Sequence, residues 1–129
     1  MIVVDSSVWI DRFQGRTSDP VERLRGVLSK EVVVVGDIVL LEVLQGARDD
    51  LHARKLHQLL AAFRLVEMLD ANIALKCAAN YRHLRARGVT IRTTADLIIG
   101  TWCIENNASL LHNDRDFLPM VDHLGLVAL

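Results

Sequence analysis

The sequence has 129 residues, the length of one domain, and is long enough to bury one solid hydrophobic core. Hydrophobic residues make up 51% of it and aromatic residues only 5%, so we expect an aliphatic core, which suits a sheet covered by helices. Extended disorder and a membrane span are excluded by this composition, and the formal charge of −1 argues against tight non-specific binding to nucleic acid. We expect a single cytoplasmic domain over residues 1–129.

Apolar runs, β-branched residues and capping residues predict strands and helices in alternation. The run 32–35 consists of four valines, which favour a strand because branched side chains restrict the helical conformation. The elements predicted in the first half are a strand at 3–5, a helix at about 7–13, a helix starting at Pro20, the strand at 32–35, a helix from 36–37 to about 47 and a helix from 49–50 to about 63.

The second half continues the alternation and ends with a weaker element. Its predicted elements are a brief strand at 65–67, a helix from Asp70 to Gly88, a helix from Thr93 to Asn107, a strand at 108–112 and a weaker strand at 126–129. Such an order predicts parallel strands joined by right-handed crossovers, that is, a three-layer α/β/α domain with a short, mainly parallel sheet of four to five strands. Ligands of these sheets bind outside the carboxyl ends of the strands.

Five acidic residues stand at strand ends or inside apolar helices, where this fold would bring them to one place. They are Asp5, Glu42, Asp96, Asp114 and Asp116. Each also has a local explanation, as a helix cap, a solvated side chain or part of a polar turn, and Thr93 with Asp96 matches a capping box. One cluster accounts for the whole set, whereas the local explanations must hold independently.

Carboxylates gathered in this way require a counter-charge, because two unit charges about 4 Å apart repel by about 4 kcal/mol at an effective dielectric constant of 20. The set offers oxygen ligands without histidine or cysteine, which favours a hard ion such as Mg²⁺ or Mn²⁺. An ion of this kind also binds phosphate oxygens. The residues therefore indicate metal-dependent hydrolysis of a phosphodiester.

Four parts of the sequence together resemble a PIN-domain ribonuclease of the VapC type, the toxin of a bacterial toxin–antitoxin pair. They are 3–10 (VVDSSVWI), Glu42, 94–100 (TADLIIG) and 110–117 (LLHNDRDF). The resemblance spans essentially the whole chain and includes 81–88 (YRHLRARG) and 123–126 (HLGL). No single motif is specific, but their common order is strong evidence.

The resemblance implies a Mg²⁺-dependent endoribonuclease, with Mn²⁺ as the alternative ion, that cleaves RNA by activating water. It implies a homodimer held silent by a cognate antitoxin. The implied catalytic acids are Asp5, Glu42, Asp96 and Asp114, of which Asp5, Asp96 and Asp114 are the metal ligands, and the implied accessory residues are Asp116, Ser7 and Asn113.

Arginines near the acids have two interpretations: a solvated surface, or a rim that binds the phosphates flanking the cleavage site. The candidates for RNA binding are Arg82, Arg85, Arg92 and Arg115. For Arg92 and Arg115, neutralisation of a neighbouring carboxylate is a further alternative.

Other functions remain as alternatives. A PIN-fold scaffold without activity would bind only protein or RNA. An aspartyl-phosphate phosphatase or a receiver domain also places acids at strand ends. The phosphatase, however, needs an aspartate where this chain has Ser7. Both need a lysine beside the phosphate, and none of the three lysines of this chain stands at the end of a predicted strand near the acids. The five histidines and Trp9 and Trp102 fit structural or surface roles, and the two cysteines fit buried reduced thiols.

Overall fold

In the computed structural model, which describes all 129 residues, four strands form one parallel sheet. The strands are β1 (Ile2–Val4), β2 (Val33–Gly36), β3 (Arg64–Val66) and β4 (Ser109–Leu111), and their order across the sheet is β3-β2-β1-β4. All three pairings are parallel, so every strand directs its carboxyl end to the same edge. The predicted α/β class with a short parallel sheet is confirmed.

Two helices connect each strand to the next, and a last helix follows β4. They are α1 (Ser6–Phe13), α2 (Asp19–Val27), α3 (Asp37–Gln45), α4 (Asp50–Leu60), α5 (Ala71–Ala86), α6 (Thr94–Glu105) and α7 (Leu118–Leu124), with a 3₁₀ turn (Arg115–Phe117) before α7. Five helices begin with a side chain that accepts a backbone N–H of the first turn. These caps are Asp5, Ser18, Asp49, Asp70 and Thr93.

The predicted fifth strand at 126–129 is wrong as a strand. The chain there forms a single parallel bridge between Ala128 and Leu110, made by Leu110 N–H to Val127 O (2.8 Å) and Leu129 N–H to Leu110 O (2.9 Å). Helix α7 extends to Leu124, and Gly125 then reverses the backbone at a φ of 77°, so only the last residues lie alongside β4. The remaining elements agree with prediction to within a few residues.

The sheet is buried on both faces, as parallel strands of aliphatic residues require. Val3, Val4, Leu110 and Leu111 are fully buried in β1 and β4. Trp9 stacks on Phe13, with ring centroids 5.7 Å apart, and packs at a tilt against Phe63 at 5.2 Å. Trp102 is buried as well, which confirms core roles for both tryptophans.

The two cysteines are free and buried, as predicted. Cys103 lies in α6 and is fully buried, and burial raises the pKa of its thiol to about 12. None of the helices combines the length and the apolar composition that crossing a membrane requires.

Helix α5 offers a direct test of how strongly the core stabilises this fold. Leu84 is fully buried, so Leu84→Ala should lower the free energy of unfolding by about 2–5 kcal/mol through lost contacts and a residual cavity. Leu75, on the same helix, is 73% exposed, and Leu75→Ala should change stability by no more than about 0.5 kcal/mol. Urea denaturation of both variants measures the difference, and equal effects would contradict the described packing.

Candidate active site

The parallel pairing of β1 with β4 brings two distant acidic segments together. Val4 is in register with Leu111, and the backbone N–H of Asp5 continues the ladder to Leu111 O at 2.9 Å. Asp5 therefore leaves β1 beside the point where β4 leads into Asp114. Both lie at the carboxyl edge of the sheet, where the fold predicts a ligand site.

Asp5 caps α1 and also lies within the candidate site. Its Oδ2 accepts the backbone N–H of Ser7 (3.1 Å) and the Ser7 hydroxyl (2.6 Å). The residue is only 2% exposed, and its other oxygen, Oδ1, is buried without a hydrogen-bond partner. A buried carboxylate oxygen left in this state is costly, so it requires either a proton or a cation.

Three carboxylates form a close group beside it. Oxygens of Asp96, Asp114 and Asp116 lie within 4.8 Å of one another, a spacing that can hold one metal ion. Asp96 is buried in the first turn of α6 and donates its backbone N–H to Thr93 Oγ1 at 3.2 Å. Asp114 caps the 3₁₀ turn by accepting the backbone N–H of Asp116 at 2.9 Å.

Glu42 approaches the cluster from α3. Its side chain is half-buried, and Oε1 accepts the hydroxyl of Ser6 at 3.1 Å. Glu42 was predicted as a site residue but Ser6 was not, because the only signal for Ser6 in the sequence is a hydroxyl next to Asp5. Glu42 stands outside the close group of three, yet it shares the electrostatic field of Asp5 and Asp114.

Three of the acids have a raised pKa. Burial is the main cause for Asp5, Glu42 and Asp96, and in each case the charge of Asp114 adds to it. The pKa of Asp96 rises to about 6 from an ordinary value of 3.8, with burial first and then repulsion from neighbouring acids as causes. This is the behaviour of carboxylates gathered without a cation.

The accessory residues connect the two acidic segments. Ser7 Oγ donates to Asp5 and accepts the backbone N–H of Asn113 at 3.2 Å, so one hydroxyl joins the ends of β1 and β4. The side chain of Asn113 donates from Nδ2 to Asp11 Oδ2 at 3.3 Å and not to an acid of the candidate site. Ser7 therefore contacts the site directly, whereas Asn113 contributes its backbone.

His112 fixes the start of the acidic turn. Its Nδ1 accepts the backbone N–H of Asp114 at 3.2 Å, and its ring packs against Phe117 with centroids 5.1 Å apart. Burial lowers the pKa of His112, so the ring stays neutral as this hydrogen bond requires. These contacts fit the structural role that was predicted for the histidines.

The four candidate arginines differ in position. Arg92 Nε lies 3.9 Å from Asp116 Oδ1, although the Arg92 side chain is 82% exposed. Arg115 is exposed and forms no ion pair, and Arg82 and Arg85 lie on the exposed face of α5 beside the cluster rather than in it. Only Arg92 reaches an acid, which supports neutralisation as one of its roles.

Two solved structures of VapBC proteins have the same fold as this chain. The VapBC2 structure from Rickettsia felis bound to a promoter DNA fragment matches with a TM-score of 0.80 and 16% identity, covering 100% of this chain and 98% of that one. VapBC-1 of nontypeable Haemophilus influenzae matches with a TM-score of 0.76 and 21% identity, covering 100% and 97%. These likenesses establish the fold.

The family follows from sequence. A family model described as PIN domain matches residues 2–121. The VapC ribonuclease Mb1587 of Mycobacterium bovis is 30% identical over 119 residues, covering 91% of this chain and 89% of that protein. Ribonuclease VapC11 of Mycobacterium tuberculosis matches with the same identity and coverage. The chain therefore belongs to the PIN-domain family and, within it, to the VapC type.

Proposed function

We propose that this protein is a metal-dependent endoribonuclease and the toxin of a bacterial toxin–antitoxin pair, acting in the cytoplasm. The observation that carries the proposal is the gathering of buried and half-buried acids with one carboxylate oxygen, Asp5 Oδ1, left without a partner. The relatives at 30% identity are named ribonucleases, which supports the same reaction here.

The residues fit a divalent metal ion. Asp96, Asp114 and the unpartnered oxygen of Asp5 would hold it, with Asp116 as a fourth donor because its carboxylate belongs to the close group. Oxygen donors without histidine or cysteine favour Mg²⁺, and Mn²⁺ is the alternative. When bound, such an ion polarises a phosphoryl oxygen and lowers the pKa of water to generate a nucleophile.

The surrounding side chains set the positions of the acids. Glu42, held by Ser6 and partly exposed, is placed to accept the proton of the attacking water, and its raised pKa brings it closer to the working pH of a general base. Ser7 keeps the carboxylate of Asp5 in one orientation. Arg92 would exchange its contact with Asp116 for a substrate phosphate.

A groove of mixed polarity and the exposed leucines near it support a protein partner. The groove, a cavity of about 560 Å³ between α1, α3 and α4, has four hydrophobic residues in its lining, and the other half includes Gln14, Arg48 and His52. Leu41 on α3 and Leu51 and Leu59 on α4 are each more than half exposed. We propose that a segment of the cognate antitoxin covers this surface.

The homodimer that the family resemblance implies is part of the same proposal, and light scattering on the purified chain measures it.

Asp96→Asn should abolish RNA cleavage by the purified chain in the presence of Mg²⁺, because the amide keeps the shape and the Thr93 bond but removes a charged donor. EDTA and Asp5→Ala should have the same effect. Asp122→Asn, on the exposed surface of α7, is the matched control and should cleave normally. Cleavage by Asp96→Asn at the wild-type rate would show that the Asp96 carboxylate has no part in the reaction and that the residue only contributes to the start of α6.

Metal-binding calorimetry distinguishes a nuclease with the wrong substrate from an inactive scaffold. Wild type should bind Mg²⁺, and Asp96→Asn should bind it at least tenfold more weakly, since a charged donor of the site is lost. A wild-type chain that neither cleaves RNA nor binds the ion would leave only the scaffold interpretation.

The metal-free protein should lose stability as the pH rises from about 4 to about 7. Because the folded-state pKa of Asp96 is raised from 3.8 to about 6, the folded chain binds more protons than the unfolded chain in this window, and the free energy of unfolding falls with pH. Each pKa unit corresponds to about 1.4 kcal/mol. Asp96→Asn should remove this contribution and be up to about 3 kcal/mol more stable than wild type above pH 7, with little difference at pH 4. Urea denaturation in EDTA across this pH range measures the free energy of unfolding. A wild-type chain that becomes more stable from pH 4 to pH 7 would contradict the described burial of Asp96.

Expression of the wild-type chain in a bacterial host should arrest growth, and expression of Asp96→Asn should not. Growth curves measure the effect, with immunoblots to show equal amounts of protein. Arrest by both variants would separate toxicity from the acidic cluster.

A further inference from the structure

A groove between α5 and α6 is not used by the proposed reaction. It encloses about 570 Å³, and its floor is apolar, formed by Leu69, Ala74, Ala78, Leu97 and Ile98. Thr94, Leu97 and Ile98 line the groove from the first turns of α6, the helix that also carries Asp96, but on a different side of that helix from the Asp96 carboxylate. We call this feature the α5–α6 groove.

A second, smaller cavity joins the α5–α6 groove to the acids. It encloses about 320 Å³ and shares Tyr81, Thr94 and Leu97 with the groove. Arg92 lines its other side, and Arg92 Nε is 3.9 Å from Asp116. The two cavities therefore connect the apolar floor, past Tyr81, with Arg92, the residue that contacts Asp116.

The charged side chains of the chain segment that forms the α5 side of the groove are all basic. Residues 71–95, which include α5, contain five basic and no acidic side chains, although the whole chain has a formal charge of −1. Arg82 and Arg85 stand at the edge of the groove, and neither forms an ion pair within the chain. The Arg85 guanidinium lies 5.8 Å from the centre of the Tyr81 ring. An apolar floor, an aromatic ring and unpaired arginines together match a single-stranded nucleotide.

We propose that the α5–α6 groove binds a nucleotide of the substrate RNA, with the strand reaching the carboxylates past Arg92 at the N-terminal end of α6. The base packs on the apolar floor against Tyr81, and Arg82 and Arg85 bind the adjoining phosphates. This inference rests on the proposed ribonuclease function and deepens it. A second copy of the chain is the competing occupant, but a twofold contact through this face would bring the same basic segment against itself.

The test uses binding of a short, fluorescein-labelled single-stranded oligoribonucleotide, measured by anisotropy in Mg²⁺. All variants carry Asp96→Asn so that the probe stays intact. Arg82→Ala with Arg85→Ala should weaken binding about tenfold or more and lower the slope of log affinity against log salt by about 1.4, since each lost phosphate contact on a single strand removes about 0.7. Arg23→Ala with Arg54→Ala removes the same charge from exposed, unpaired positions on α2 and α4 and should leave both quantities nearly unchanged.

Tyr81 separates stacking from charge. Tyr81→Ala should weaken binding between about 5- and 150-fold without changing the salt slope, and Tyr81→Phe should restore it, because stacking needs the ring and not the hydroxyl. Thermal unfolding of each variant identifies any loss of fold. Should Tyr81→Ala unfold, the exposed arginine pair still tests the groove.

Three outcomes overturn the inference. Affinity and salt slope unchanged in the arginine pair would show that the groove does not bind RNA. A change in mass by light scattering, with unchanged RNA affinity, would assign the face to a second copy of the chain. In both cases, RNA cleavage by the wild-type chain with Mg²⁺ would leave the proposed function intact. A wild-type chain that neither cleaves nor binds RNA would overturn the proposed function and this inference together.

Discussion

The site depends on the parallel pairing of β1 with β4. These strands are separated by more than a hundred residues, and their register is set where Val3 pairs with Leu110, both fully buried. A slip of one residue would move β4 by about 3.3 Å and turn its apolar side chains to the opposite face. Aliphatic packing in the middle of the sheet therefore fixes the distance between the acids at its edge. The hydrophobic core thus determines the positions of the acidic residues, although no apolar core residue is itself a candidate ligand.

The local and the functional explanations of the acids turn out to be compatible. Asp5 caps α1 through Oδ2 and keeps Oδ1 free of protein partners, so one carboxylate performs two tasks. Asp114 caps the 3₁₀ turn and still belongs to the close group with Asp96 and Asp116. Asp96 uses its backbone N–H for the bond to Thr93 and leaves its carboxylate for the cluster. The same hydrogen bonds that start each element also orient the carboxylates before any ligand arrives.

Local patterns explain how much of this could be predicted from the sequence. Strand ends, helix caps and the buried valine run of β2 are short-range signals, and they predicted the sheet and the position of every candidate acid. The bond from Ser6 to Glu42 joins residues 36 positions apart and depends on how α1 packs against α3, which no local pattern contains. The sequence predicted that Asp116 and Asp96 share one cluster, but not that they belong to its closest group of three, because this depends on the path of the 3₁₀ turn.

Net charge was a poor guide to what this chain binds, because charges of opposite sign are segregated. The carboxylates gather at one edge of the sheet, whereas the segment 71–95 contains only basic charges and borders that edge through Arg92. Burial and repulsion from neighbouring acids raise the pKa of Asp5, Glu42 and Asp96, so the carboxylates by themselves destabilise the fold near neutral pH. A cation that binds the cluster relieves this cost, and the neighbouring basic segment then attracts a phosphate chain to the metal instead of being neutralised by the acids. Segregation of the two charges thus supports the proposal that one small domain binds both a cation and a polyanion.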